Sequence, residues 1–305
     1  MILDLSDDAL EYGLQALHAF ENAGGDRLVE QAEADPTARH GLVRPVLDGL
    51  GAWDLDPRTD ADGLEAAAAL CRSAGYWALP YPLAERLAKP AVQDVDGLVV
   101  VGGPRPAAAL GGLDLRWAAV DLDGRRALVT GQGVTGPGFV AELELSPVDS
   151  DGSRDVALAL VLPCWTLLGI LDRAVALTVA HVSLRKQFGQ TLSSFQGVQF
   201  QLTDAEVERS GVDVLAKHAL WSIATDQSHV VDDALALRLA AIEAADVVFR
   251  VCHQLHGAVG FCDETTLSWL SRYSLPLRRL PFGLSSTRDH LTGVAGRRGL
   301  TGLFI

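Results

Sequence analysis

The stretch that most limits what this chain can fold into is "VALALVLPCWTLLGIL", residues 156–171. It is apolar on nearly every side of a helix rather than along one stripe, so the helix it builds must be surrounded by other elements. Pro163 interrupts it, Asp172 and Arg173 follow at once, and it falls short of the ~20 apolar residues a bilayer-spanning helix needs. The expectation is a central helix of a packed bundle, with no membrane role.

Three further helical patterns follow, so the long helices are expected near 163–187, 194–223, 231–255 and 264–279, with a short one near 286–294. Four long helices with short connections form a bundle. Upstream, "SDDALEYGLQALHAFENAG" has Ser6 as an N-cap before apolar residues at helical spacing. "GLVRPVLDGLGAWDLDP" is a short helix with a Gly-rich exit. "DGLEAAAALCRSAGYWALPYPLAERLA" is an Ala/Leu helix broken by Gly75, Pro80 and Pro82. Between these helical regions, "GLVVVGG", "LRWAAVDLDG", "RALVTGQ" and "FVAELEL" are short β-type runs separated by Gly, Pro and Asp-Gly turns. A chain of 305 residues exceeds one ordinary core. The expected fold class is mainly α with a central β subdomain: an N-terminal helical domain over 1–91, a small β domain over 92–150, and a helical bundle over 151–305.

Charge narrows the function. The formal net charge is −14 and no Lys/Arg run forms a basic patch, which speaks against a nucleic-acid partner. Cys71, Cys164, Cys252 and Cys262 fit no CxxC spacing, and the acidic N-terminus lacks the basic region of a secretory signal. Reduced thiols and a cytoplasmic location are expected.

Several motifs fail on context. Gly131, Gly133 and Gly136 form a literal GxGxxG, but a strand-like run follows where a dinucleotide site needs a helix. "DLDGR" lacks the later acidic ligands of a calcium loop and suits a hairpin turn at Asp123-Gly124. His253 and His256 lie one turn apart with no third ligand at a metal-site spacing, and no GxSxG elbow is present.

Two segments carry more. "RKQFGQTLSSFQGVQFQ", residues 185–201, packs Arg185, Phe188, Gln196 and Gln199 into one polar turn. Gly189 ending one helix and Ser193 or Ser194 capping the next would explain part of it. A guanidinium, an aromatic face and amides also suit a phosphate plus a purine. Farther on, "CHQLHGAVGFCDETTLSWLSR" ends a helix with small residues Gly257, Ala258 and Gly260 and restarts at Asp263-Glu264. A ligand can approach such a backbone, and a new helix N-terminus favours anions.

Together these segments resemble the acyl-CoA dehydrogenase family, with its Arg-x-x-Phe-Gly…Phe-Gln and Gln-x-x-Gly-Gly-x-Gly signatures. The order helical, β, four-helix bundle is similar too. The resemblance implies FAD shared across a subunit interface. It carries Arg185, Phe188 and Gln196 to the pyrophosphate and adenine end of a flavin held mainly by the neighbouring chain. The backbone at Gln254, Leu255, Gly257 and Ala258 would approach the same flavin, with Ala258 replacing the usual second Gly.

The family's chemistry requires a carboxylate base as hydride leaves for the flavin. Its usual Glu position corresponds here to Phe282 in "LPFGLSS", and the alternative position, 26 residues before Arg185, holds Ala159. A catalytic residue is therefore not expected in this chain. The pattern resembles the shorter subunit of actinobacterial heteromeric acyl-CoA dehydrogenases. These form α2β2 tetramers acting on bulky CoA esters such as steroid side-chain or ring fragments. That resemblance implies a catalytic partner subunit, an acyl-CoA substrate and an electron-transfer flavoprotein as electron acceptor. Two rivals stand beside it: a self-sufficient homomeric enzyme using Asp155 or Glu264 as a displaced base, and a cofactor-free scaffold of the same fold.

Overall fold

The computed structural model describes residues 4–90 and 94–298. Helix α1 (Asp7–Ala23) begins at Ser6, whose hydroxyl accepts the Ala9 N–H at 3.4 Å. It is followed by α2 (Arg27–Ala34), α3 (Arg39–Gly49), α4 (Ala61–Tyr76) and α5 (Leu83–Leu87). The Asp60 carboxylate caps α4 by accepting the Asp62 and Gly63 N–H groups, at 3.2 and 2.9 Å.

A five-stranded sheet comes next: β1 (Gly97–Val100), β2 (Ala107–Ala108), β3 (Trp117–Val120), β4 (Arg125–Gln132) and β5 (Ala141–Asp151). Its order is β1-β3-β4-β5-β2, with β1 parallel to β3 and the other pairs antiparallel. Gly124, at φ 81°, makes the β3–β4 turn in "DLDGR". The GxGxxG run leaves the end of β4 for a loop and a 3-10 turn (Pro137–Phe139) that leads into β5, so no helix opens there.

The remaining chain is helical apart from a two-stranded hairpin between α6 and α7: α6 (Ser153–Leu184), α7 (Gln196–Ala224), α8 (Val230–His256), α9 (Thr266–Arg279) and α10 (Leu284–Arg298). The class is thus mainly α with one small mixed sheet. Helix α6 is the hub and packs on α4, α7, α8 and α9. It runs 32 residues, longer than expected, because Pro163 lies inside it rather than at its start. Interior proline removes a hydrogen bond and disfavours a helix by ~3 kcal/mol. Burial of Val156, Leu158, Leu160, Val161 and Leu162 ahead of it, at ~1.5–3 kcal/mol each, outweighs that. At this length α6 is long and apolar enough to cross a membrane, which corrects the sequence estimate of its span. Most of its apolar stretch is buried inside the protein, as a core helix requires.

Gly75 also has a different role from the expected one. It lies within α4, where an added Cβ would come 1.9 Å from the Thr166 carbonyl oxygen, and a Cβ on Gly169 would come 1.8 Å from the Arg72 carbonyl oxygen. The two glycines let α4 and α6 touch backbone to backbone. The helix therefore continues to Tyr76, and the Pro80–Pro82 stretch separates it from α5.

Candidate functional site

The polar turn after α6 is neither a helix cap nor a plain loop. Arg185 is extended (φ −70°, ψ 124°), and the chain then forms a small hairpin, β6 (Lys186–Gln187) and β7 (Gln190–Thr191). Phe188 and Gly189 occupy the turn at φ 51° and 82°. Two positive-φ residues make the primed turn whose twist matches a hairpin. Gly189 thus serves the hairpin instead of ending α6. Phe188 holds a left-handed conformation that bulky residues rarely adopt, and such strain clusters at ligand sites.

Neither Ser193 nor Ser194 caps α7. Their hydroxyls meet Thr191 Oγ1 at 3.0 and 2.9 Å, and α7 starts behind Phe195 without a side-chain cap. Gln199 is spent inside the chain, donating to the Ser193 carbonyl at 2.9 Å. Arg185, Phe188 and Gln196 are all exposed. Arg185 has no ion pair or side-chain hydrogen bond among the described residues. The Phe188 ring is 90 % exposed and meets the Phe195 ring edge to face at 6.3 Å. An aromatic ring of this size forgoes ~1.5–3 kcal/mol of burial by standing in water.

The second segment reaches the same end of the bundle. The His181 and His256 rings stack at 4.3 Å and tie the last turn of α6 to that of α8. Arg185 follows His181 by four residues, and Gly257 (φ 66°) follows His256 directly. Burial, then the neighbouring His256 and Arg185, lower the His181 pKa. Gln254, Gly257 and Ala258 are exposed and Leu255 is half-buried. Helix α9 begins at Thr266, later than the expected Asp263-Glu264. A 3-10 turn (Gly257–Phe261) fills the interval, and the Thr265 hydroxyl bonds the Val259 and Cys262 carbonyls there, at 3.0 and 2.8 Å. Among the described residues no group of three or more His, Cys, Asp or Glu could hold a metal ion.

The interior is arranged the opposite way. Arg238, 3 % exposed, donates to the carbonyls of Leu277 (3.0 Å), Leu280 (2.6 Å) and Phe282 (2.8 Å), which fixes the loop between α9 and α10. The Phe282 ring lies against Gly102, where a Cβ would sit 3.1 Å from it, and against His290 at 4.9 Å. Ala159 is buried. Asp155 lies in the first turn of α6, 3 % exposed, paired with Arg58 at 2.6 Å and with Arg126. That double pairing joins the N-terminal region, the sheet and α6 and commits both carboxylate oxygens to arginine. Glu264 is exposed on the α8–α9 connection.

The sequence reading overlooked Glu85. It lines two interior cavities, of about 80 and 60 Å³, beside α6 and α9, and burial raises its carboxyl pKa. Its signal was a single acid inside the apolar run "PLAERLA". Small-molecule sites usually occupy ~300–1,000 Å³, so a flavin ring does not fit these cavities. The exposed corner does fit the other end of a flavin: Arg185 offers a fork for phosphate and Phe188 a face for a purine.

Comparison with known proteins agrees with this architecture. Residues 161–280 match the family model "Acyl-CoA dehydrogenase, C-terminal domain". The chain is 30 % identical over 286 residues to acyl-CoA dehydrogenase FadE28 of Mycobacterium tuberculosis, covering 84 % of this chain and 82 % of that one. Its fold is similar to a chain of the ChsE4-ChsE5 complex from Mycobacterium tuberculosis (TM-score 0.75, 17 % identity, 99 % of this chain and 100 % of that chain). It is also similar to a variant of the Tcur3481-Tcur3483 steroid ACAD (TM-score 0.77, 20 % identity, 95 % and 98 %). With its bundle matched by that family model and most of its length by FadE28, this chain belongs to the acyl-CoA dehydrogenase family.

Proposed function

We propose that this chain is the partner-dependent subunit of a heteromeric, flavin-dependent acyl-CoA dehydrogenase of the cytoplasm. Arg185, Phe188 and Gln196, with the backbone at Gln254, Leu255, Gly257 and Ala258, contact the ADP half of an FAD held chiefly by the partner. The partner supplies the carboxylate base and most of the acyl pocket for a bulky, steroid-derived acyl-CoA. Bound flavin supplies the hydride acceptor for α,β-dehydrogenation, and its electrons pass to an electron-transfer flavoprotein. This chain's own residues bind and orient: Arg185 faces phosphate charge, Phe188 covers a ring, and the exposed backbone after α8 lets a ligand come close.

The observation that carries this reading is the state of Phe282. An aromatic ring packed on Gly102, in a loop whose carbonyls Arg238 holds, cannot take a proton. Asp155 is locked between two arginines and Glu264 is on the surface, so neither supports a self-sufficient enzyme. Similarity supports the reading: one structural neighbour is the ChsE4-ChsE5 complex and another is the Tcur3481-Tcur3483 steroid ACAD.

The test is co-expression. The chain made alone should purify without flavin absorbance and without dehydrogenation of acyl-CoA. Made together with a longer acyl-CoA dehydrogenase chain that retains its Glu, it should copurify in a yellow, active complex. Flavin and turnover in the isolated chain would refute the proposal.

A further inference from the structure

A second cleft lies away from the exposed corner and is bordered by Leu280, at the start of the Phe282 loop. It has a volume of about 630 Å³, between the outer face of α9 and the turn that precedes β5. That volume falls in the ~300–1,000 Å³ range of small-molecule sites, whose walls are mostly apolar with a few converging polar groups. Its walls are apolar: Pro137, Val140, Leu275 and Pro276. Its polar groups are Arg272, Arg279, Tyr273 and Glu33.

Those polar groups are only partly committed elsewhere. Arg272 and Arg279 are seven residues apart on α9, so they stand on one face, ~10.5 Å apart along the axis. Arg279 is exposed and has no ion pair or hydrogen bond among the described residues. Arg272 lies over the Trp269 ring at 4.3 Å and is 3.0 Å from the exposed Asp263. Its Nε is buried without a hydrogen-bond partner. The Tyr273 hydroxyl is likewise buried and makes no hydrogen bond of good geometry, with the Glu33 carboxylate as its nearby acceptor, while its ring packs at 5.4 Å from Phe139. Burial first, then the Glu33 carboxylate, raise the Tyr273 pKa, so the phenol remains a neutral donor. Buried donors without partners are rare and ask for an acceptor. Two guanidinia meet two carboxylates, Glu33 in the cleft and Asp263 on Arg272, so Arg279 is the cleft's guanidinium without a carboxylate partner among the described residues.

We propose that this cleft binds an amphiphilic organic monoanion: a rigid apolar body lodged against Pro137 and Val140, with one carboxylate held between Arg272 and Arg279. Tyr273 donates to the same carboxylate. Tyr273 and Pro276 also line the 80 Å³ interior cavity, so the two sites share a wall.

The probe is naphthalene-2-carboxylate, with naphthalene-2-carboxamide as its uncharged counterpart of the same shape. Calorimetric titration uses the full chain in the assembly in which it purifies. The carboxylate should bind saturably at one site per chain, about tenfold more tightly than the amide, the scale of a charged hydrogen bond. Arg279→Gln, at an exposed residue with nothing to lose in folding, should weaken the carboxylate by about tenfold and leave the amide unmoved. Val140→Trp, which fills the cleft, should remove binding of both. Absence of saturable binding, equal affinity for the two probes, or an affinity unchanged in either variant overturns the proposal. None of these readouts involves flavin or turnover, so the result stands apart from the subunit assignment.

Discussion

The chain places a Phe-Gly pair after a long helix twice, Phe188-Gly189 after α6 and Phe282-Gly283 after α9, and the two have opposite fates. At the first, both residues adopt left-handed backbone, the ring is 90 % exposed, and Arg185 beside it is unpaired among the described residues. At the second, the ring rests on Gly102, and Arg238 holds two carbonyls of the surrounding loop and one in the last turn of α9. The interior pair is energetically satisfied by its own chain. The exposed pair keeps strain and unburied surface that nothing among the described residues compensates. A folded protein retains such features where another molecule completes them.

Three substitutions test that contrast, from the most disruptive down. Asp155→Ala should be the most damaging, because it leaves Arg58 and Arg126 facing each other, desolvated and unpaired. Removing one partner of a buried ion pair destabilises by ~3–5 kcal/mol, which denaturant unfolding would measure. Were Asp155 a displaced base instead, Asp155→Asn would abolish turnover with little change in stability. Gly169→Ala should follow, at roughly 1–3 kcal/mol or more, since its methyl would overlap the Arg72 carbonyl oxygen. Its effect should be on melting temperature alone.

At the exposed corner the sign of the argument reverses. Arg185→Ala should shift stability by no more than ~0.5 kcal/mol, as for an unpartnered surface residue. In the flavin-loaded complex it should weaken FAD retention by about tenfold or more, the scale of a charge-assisted contact to phosphate. Gel filtration with flavin absorbance reads this directly. A large loss of stability with flavin unchanged would make the corner a structural element of this chain.

Parts of this contrast were visible in the sequence. The all-round apolar run before and after Pro163 required a buried helix, and the Arg, Phe and Gln of residues 185–201 were in excess of what a loop needs. A helix start was legible where a side chain does the capping, as at Ser6. Helix ends were misjudged where a turn competed: Gly189 went into a hairpin, and Thr265 bonds moved the start of α9. Gly75 looked like a breaker because its partner, Gly169, is almost a hundred residues away, and a close helix crossing leaves no local trace. The same holds for Glu85 and the Arg272–Arg279 cleft, whose meaning comes from elements that only tertiary packing brings together.

The smallest expected effect concerns pH, and it ties the corner to the rest of the bundle. His40, His181 and His253 have pKa values lowered in the fold, by burial in each case first, then by nearby Arg44 for His40 and by His256 for the other two. An unfolded histidine titrates near ~6.5. Below that pH the unfolded chain binds more protons at these positions than the folded one, so stability rises with pH through the window between the lowered values and ~6.5. The contribution is complete above ~6.5 and fades as pH falls. Urea midpoints should therefore decline from neutral pH into the mildly acidic range. His181→Gln should flatten part of that decline, because it removes a ring whose pKa the fold lowers. If the midpoints do not move, the His181–His256 stack does not sense protons, and it only joins α6 to α8.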